Sequence, residues 1–134
     1  MPNTTAAPAV SPQQLTAGPV IVPPLADGEH WAGIVSLGTQ LHHVILLPGE
    51  FRGAWKDAMT WAKEQGGELP SLLEQKLLST NLRDKFKPEW HWSCEQHASD
   101  ESFAWMQDFI SGFQYYGHKA SNTRARAVRR LPIQ

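Results

Sequence analysis

The sequence predicts an α+β domain: two consecutive helices set within an antiparallel sheet, preceded by an extended Pro-rich N-terminal arm. Three observations carry this expectation. Apolar residues alternate with period two up to Gly49, shift to helical spacing between Ala54 and Phe86, and return to period two from Trp90 onward. Residues 1–26 hold no charged side chain and six of the ten prolines. The remaining length suits one domain with a buried core. The chain therefore divides into an arm over residues 1–27 and a domain over residues 28–134.

Proline fixes φ and lacks the donor for a helix or ladder bond, so the arm is expected to be extended and polyproline-like. Such a segment becomes ordered when another subunit or a larger assembly pins it. Pro19, Val20, Ile21, Val22, Pro23 and Pro24 are the expected assembly contacts.

The domain opens with WAGIVSLG and LHHVILLPG, which read as a β-hairpin about Gly38-Thr39-Gln40. In AWKDAMTWAKEQGG, residues Ala54, Ala58, Trp61 and Ala62 share one helical face, and Gly66-Gly67 supplies the stop. In ELPSLLEQKLLSTNLRDKF, Ser71 and Glu74 have the spacing of a reciprocal capping box. Leu73, Leu77 and Leu78 are its expected buried stripe, and Lys87-Pro88 closes the segment. WHWSCEQ, FAWMQDFISGFQYYGHK and RARAVRRL then read as strands, with a turn at Ser111-Gly112. The expected order is β-β-α-α-β-β-β.

A formal net charge of −1 points to no partner by bulk electrostatics. Lys119, Arg124, Arg126, Arg129 and Arg130 make a basic end, but no recognition motif accompanies them, so no nucleic-acid partner is expected. One cysteine makes no internal disulfide, and no apolar run reaches transmembrane length, so no membrane partner is expected either. The N-terminus lacks the basic and apolar regions of a signal peptide, which suggests a soluble protein made in a cytoplasm.

EWHWSCEQHAS, residues 89–99, holds His91, Cys94 and His97. A zinc site needs three or four convergent ligands. On a strand, the two histidines face one side and Cys94 the other, so no metal site is expected. A nucleophilic cysteine needs a base or positive charge beside it; a lone cysteine in a β-run is more often a small buried hydrophobe. His42 and His43 point to opposite faces of their strand, one expected exposed and one partly buried, and cannot chelate together. Asp100 and Glu101 read as a solvated loop tip. No catalytic residue, metal or other cofactor is expected.

The aromatic hairpin offers more. Alternation puts Phe103, Trp105, Gln107 and Phe109 on one face and Ala104, Met106, Asp108 and Ile110 on the other, while Phe113, Tyr115 and Gly117 oppose Gln114, Tyr116 and His118. Most of these aromatics are expected in the core or in cross-strand pairs. Tyr, Trp, Gln, Asn and His also give contact area and hydrogen bonds at low entropic cost. Trp105, Gln107, Asp108, Gln114, Tyr116, His118, Asn122 and Arg124 are the expected ligand-binding face. Arg124 and Arg126 alternate with Ala125 and Ala127, as on a surface strand that pairs with acids.

The stretch from Gly66 to Leu131 resembles the C-terminal domain family of the Legionella collagen-like adhesin, a branch of the C-type-lectin-like fold common in phages and prophages. Leu69-Pro70-Ser71 through Glu74 matches that family's helix-opening pattern. Trp92-Ser93-Cys94-Glu95 matches its central strand, with Cys94 where serine is usual, and Val128-Arg129-Arg130-Leu131 matches its closing strand. The resemblance implies a compact domain with its termini paired in one sheet and a display surface of loops and hairpins. Neither the cysteine pair of the formylglycine-generating relatives nor a calcium-binding E-P-N or Q-P-D triplet is present in the sequence.

The expected function is a non-enzymatic phage or prophage binding module, a virion component at a tail tip, fibre or capsid surface. Residues 1–26 would contact other virion proteins or a second copy, and the hairpin face a host-surface glycan or protein. The alternative is a small phage protein of the host cytoplasm that inhibits a host or defence factor or sequesters a small molecule. A hydrolase or thiol enzyme would require Cys94 or a His–acid pair at the head of a pocket.

Overall fold

The computed structural model describes residues 21–133. Within them the chain forms β1 (His30–Leu37), β2 (Gln40–Leu46), β3 (Phe51–Gly53), α1 (Trp55–Glu64), α2 (Leu72–Asn81) and a 3₁₀ turn (Arg83–Lys85). β4 (Trp90–Gln96), β5 (Phe103–Asp108), β6 (Gln114–His118), β7 (Thr123–Ala125) and β8 (Val128–Ile133) follow. This is the α+β class, with the two helices consecutive in the middle. Of the expected assembly contacts, Pro19 and Val20 lie outside the described residues. Ile21 and Val22 are exposed, Pro23 is buried, and the Pro24 carbonyl accepts from Arg129.

The strands do not form one sheet. They form a three-stranded sheet, β1-β2-β8, and a five-stranded sheet, β3-β7-β4-β5-β6. RARAVRRL, expected as a single strand, is divided between them: Thr123–Ala125 pairs with β3 and in parallel with β4, whereas Val128–Ile133 pairs with β2. The corner is held by Arg126. Its guanidinium is buried, donates to the carbonyls of Lys85 and Leu47, and lies over the Phe86 ring at 5.3 Å. Arg126 is therefore not the surface, acid-paired residue expected from alternation. The strand changes sheet there, so alternation with Arg124 stops applying.

α1 begins without a side-chain cap, and Asp57 in the first turn and Lys63 in the last suit its dipole. Its end is a Schellman motif: Gly67 N–H donates to Ala62 O and Gly66 N–H to Lys63 O, with Gly66 at φ +88. The second glycine does a different job. A Cβ on Gly67 would lie 2.1 Å from the Val128 carbonyl oxygen, because Glu68 and Val128 exchange backbone bonds of 2.9 and 2.8 Å there.

α2 opens on the expected capping box. Ser71 Oγ accepts from Glu74 N–H at 3.1 Å, and Ser71 N–H donates to Glu74 Oε1 at 2.8 Å. Its buried face, however, is not the leucine stripe. Glu74, Gln75, Leu78 and Ser79 are buried, Leu77 is half-buried, and Leu73 is 50 % exposed. The helix is wedged between the two sheets, so its inner face meets backbone carbonyls and charged partners as well as apolar side chains.

Two cores result. One packs Leu78, Phe86 and Phe109 against Val35, Val44, Leu46 and Val128 of the three-stranded sheet. The other packs Ala58, Ala62 and Leu69 against Trp92, Ala104 and Ala125 of the five-stranded sheet. A fully buried Leu, Val or Phe contributes about 1.5–3 kcal/mol in such a setting. The small alanines let α1 sit close to the sheet.

Candidate functional site

The expected ligand face is split by the sheet that carries it. Residues directly opposite in register share a face, so Trp105 with Tyr116, Gln107 with Gln114 and Phe103 with His118 lie on the side of α2. Asp108 belongs to the other side with Trp90 and, through the Trp92 and Met106 pair, with the α1 core.

On the α2 side, Gln107 is a correction. It is completely buried, donates from Nε2 to Gln75 O at 2.8 Å, and accepts from Gln114 Nε2 at 2.9 Å. Gln114 also donates to Leu72 O at 2.8 Å. Both amides are committed to the backbone of α2, because the helix crosses the strands at this level. Gln107 is not free for a ligand, and the amide nitrogen of Gln114 is committed as well. Gln75 completes the ladder by donating to the His91 and Trp92 carbonyls at 3.1 and 3.2 Å.

Past the end of the helix the same face carries aromatics. His97 and Trp105 stack with centroids 5.6 Å apart and planes at 11°. Tyr116 stands edge-on to both, at 4.6 and 5.4 Å. Phe103 lies edge-on to Tyr116 and to His118. Trp105 and Tyr116 are half-buried and His118 is exposed, so this side presents ring edges and a histidine rather than a concavity.

The concavity is on the other side. Asp108, Asn122 and Arg124, three of the expected face, line a cleft of 370 Å³ with Arg52, Glu89 and Trp90. Met106 and Ile110 add apolar wall. The charges are arranged in pairs. Arg52 Nη2 meets Glu89 Oε1 at 2.6 Å, and Arg124 lies 3.0 Å from the other Glu89 oxygen and 3.4 Å from Glu50. Arg124 Nε touches Glu89 without the alignment of a hydrogen bond, so the contact is an ion pair only. The Arg124 guanidinium holds the Glu89 carboxyl below its usual range, with Arg52 acting in the same sense. Asp108 organises the hairpin turn: its carboxylate accepts from Ile110 N–H at 3.0 Å and Ser111 Oγ at 2.9 Å.

That turn spans more than Ser111 and Gly112. Phe109 leaves the strand and is buried under Phe86, with rings stacked 4.0 Å apart, so it is not part of the strand face expected for it. Phe109 thereby pins the turn while Ile110, Phe113 and Tyr115 stay exposed beside the cleft. Phe113 touches Trp90 edge-on at 6.3 Å and stacks on Tyr115 at 6.3 Å. Sequence reasoning missed Trp90, Arg52 and Glu89. The available signal was Trp90 alternating with His91 at the head of WHWSCEQ, but its pairing with Asp108 depends on strand register.

The reactive-looking stretch dissolves into scaffold. His91 is buried edge-on to Phe86 and Phe109, and its Nδ1 donates to Glu89 O at 2.9 Å. Burial pushes its pKa down to about 4. Cys94 packs with Met59 and Leu69 on the α1 side, and burial pushes its thiol pKa up. His97 belongs to the aromatic cluster. Among the described residues no group of three or more His, Cys, Asp or Glu is placed to hold a metal ion. His42 and His43 are both buried, which corrects the expectation of one exposed ring. His42 Nε2 lies 2.8 Å from Glu74 Oε2, and His43 Nδ1 accepts from Trp31 Nε1 at 3.0 Å.

The chain matches no family model and no curated protein. Among the described residues no helix is long and apolar enough to cross a membrane. Fold and surface define a small α+β domain with one face of half-buried rings, a charge-paired cleft, and an apolar hairpin tip between them.

Proposed function

We propose that the chain is a non-enzymatic binding module with a C-type-lectin-like fold, a phage or prophage component that holds a host-surface glycan in the cleft beside β5. The lectin-like reading is supported by the closing strand β8 returning to pair with the opening hairpin, by the two consecutive helices, and by the quoted motifs around Ser71, Trp92 and Val128. A virion location, with the arm held by a neighbouring subunit, fits the uncharged residues 1–26.

One observation carries the ligand assignment: the cleft joins a Trp90, Met106 and Ile110 wall to Asp108, Asn122 and charge-paired arginines. Arg52 and Arg124 are balanced there by Glu89 and Asp108, so the lining favours an uncharged ligand rich in hydroxyls. A sugar ring has one apolar face for Trp90 and hydroxyls for the polar rim. The volume is within the range of small-molecule sites, about 300–1,000 Å³. The raised thiol pKa of Cys94 and the committed rings of His42, His43 and His91 speak against nucleophilic chemistry at the residues that invited it.

A panel of neutral cell-envelope oligosaccharides titrated against the full chain, followed by tryptophan fluorescence, tests the reading. Trp90→Ala and Asn122→Ala should each weaken binding about tenfold or more, while Trp105→Phe should leave it unchanged. Binding that ignores both cleft variants would refute the site. The exposed Ile110, Phe113 and Tyr115 favour a second reading, a protein partner inhibited in the host cytoplasm. Under that reading Phe113→Asp abolishes the interaction and the oligosaccharides do not bind.

A further inference from the structure

The three-stranded sheet has two unlike faces. Val44, Leu46 and Val128 pack on Leu77 and Leu78 of α2, and His42 and Arg130 reach Glu74 from that same face. Alternation assigns the opposite face to Ile45 and Arg129 in one register row, and to Ile34, His43 and Leu131 in the next. α2 occupies the first face and α1 packs on the five-stranded sheet, so neither helix covers the second.

Part of that second face is covered by the start of the domain. Arg129 pairs with Glu29 at 2.9 Å and donates to Pro24 O at 3.3 Å, while Pro23 and Ile45 are buried. Beyond this row Trp31 covers His43 in the middle of the face, which is bare at its flanks: Ile34 is 36 %, Leu41 42 % and Leu131 36 % exposed. The segment arriving at its corner is bare too, with Ile21 80 % and Val22 47 % exposed. The twenty residues before Ile21 continue it without one charged side chain.

We propose that two copies of this chain exchange their arms, the apolar stretch at Ile21 and Val22 of each lying on the bare face of Ile34, Leu41 and Leu131 of the other. Donor and acceptor are both exposed within one chain, and a two-fold arrangement covers both at once, the same patch serving on each copy. Pro23 and Pro24 fix φ at the root of the arm. The charges match as well. The arm has none, and Arg129, the cation at this face, is already paired with Glu29, so docking strips no ion of its partner. The inference deepens the anchoring half of the proposed function by naming a second copy as the anchor, and it is independent of the ligand in the cleft.

Sedimentation of the full chain over a concentration series gives the test. The unmodified chain should dimerise. The double variants Ile21→Asp/Val22→Asp and Leu41→Asp/Leu131→Asp should each weaken dimerisation about tenfold or more. Their circular dichroism should match that of the parent, since all four positions are exposed. If the sheet-face variant fails to fold, the arm variant decides. A second measurement uses Val22→Cys with Leu131→Cys in a Cys94→Ser background, with two differently tagged copies mixed before oxidation. A disulfide between tags is expected. A monomeric chain, a dimer that withstands both double variants, or a disulfide closed within one monomer each overturns the proposal. The last outcome places the arm on its own sheet. Oligosaccharide binding by a monomer would leave the cleft reading standing and remove this one alone.

Discussion

Arg130 grips Glu74 with two parallel hydrogen bonds, Nε to Oε2 and Nη2 to Oε1, both at 2.7 Å. The pair ties α2 to the last strand, and His42 joins it from β2. Arg130 also reaches Glu68 and the Leu69 carbonyl, so one side chain fixes the start of the α2 segment at several points.

Removing the carboxylate should cost far more than removing the neighbouring leucine. Glu74→Ala leaves Arg130 and His42 facing a buried vacancy, and losing one partner of a buried pair costs about 3–5 kcal/mol. Leu73→Ala, one residue earlier on the exposed side, should stay within about 0.5 kcal/mol. Urea unfolding of both variants checks the contrast. A larger loss for Leu73 would restore the leucine stripe as the buried face.

Acid should destabilise the fold in two steps. His91 is buried, which pushes its pKa down to about 4 from 6.5. A depressed group contributes stability above its unfolded pKa and loses it as pH falls, so its window runs from 6.5 down to about 4. Burial pushes Glu74 up, but the Arg130 bonds, the Ser71 N–H and His42 outweigh it and hold the carboxyl at about 2. Its stability is therefore lost from the unfolded value of 4.5 down to about 2. Unfolding free energy measured against pH should lose the upper segment in His91→Phe and the lower one in Glu74→Gln.

Gln107→Ala should act on stability and not on ligand binding. It removes the side-chain bond to the Gln75 carbonyl, which keeps its helical partner, and one of the two bonds of Gln114, at about 0.5–1.5 kcal/mol each. The midpoint of thermal unfolding should fall while affinity at the cleft, measured below that midpoint, stays put. A loss of affinity without a loss of stability would return Gln107 to the binding face.

Gly67→Ala meets backbone where Gly66→Ala meets strain. The added methyl at position 67 collides with Val128 O, forcing β8 away from the α1 terminus. Overpacking of this kind costs about 1–3 kcal/mol or somewhat more. At position 66 nothing lies within 4 Å, and the cost comes from φ +88 alone. Asn, which tolerates that φ, should rescue position 66 and fail at 67, as chemical denaturation of the four variants would show.

Cys94 should alkylate slowly in the native chain. With its thiol pKa raised by burial beside Met59 and Leu69, iodoacetamide at pH 8 should react on the order of tenfold slower than in urea. A faster native rate would reopen thiol chemistry.

Much of the local structure was legible in the residues themselves. The Gly38-Thr39 hairpin, the Ser71 and Glu74 box and the Gly66-Gly67 stop each rest on contacts within a few positions along the chain, and their side-chain chemistry names them. Which side of each element would be buried was less so. Leucine outranks glutamate on any hydrophobic scale, yet Glu74 is inside and Leu73 outside, because Arg130 and His42 arrive from strands far away in sequence. The same holds for RARAVRRL, whose break depends on Arg126 finding Lys85 and Leu47 carbonyls. It holds for the ligand face, whose residues alternation already divided between two sides, while only the packing shows that α2 covers Gln107 and that the cleft takes Asp108, Asn122 and Arg124. The sequence by itself determined the class, the opening hairpin, the two consecutive helices and the local caps, since these follow from propensity and short-range hydrogen bonds, but not the short β3 ahead of α1. The two-sheet division, the polar buried face of α2 and the site were decided by the tertiary structure alone, because a polar side chain is buried only where a distant partner satisfies it.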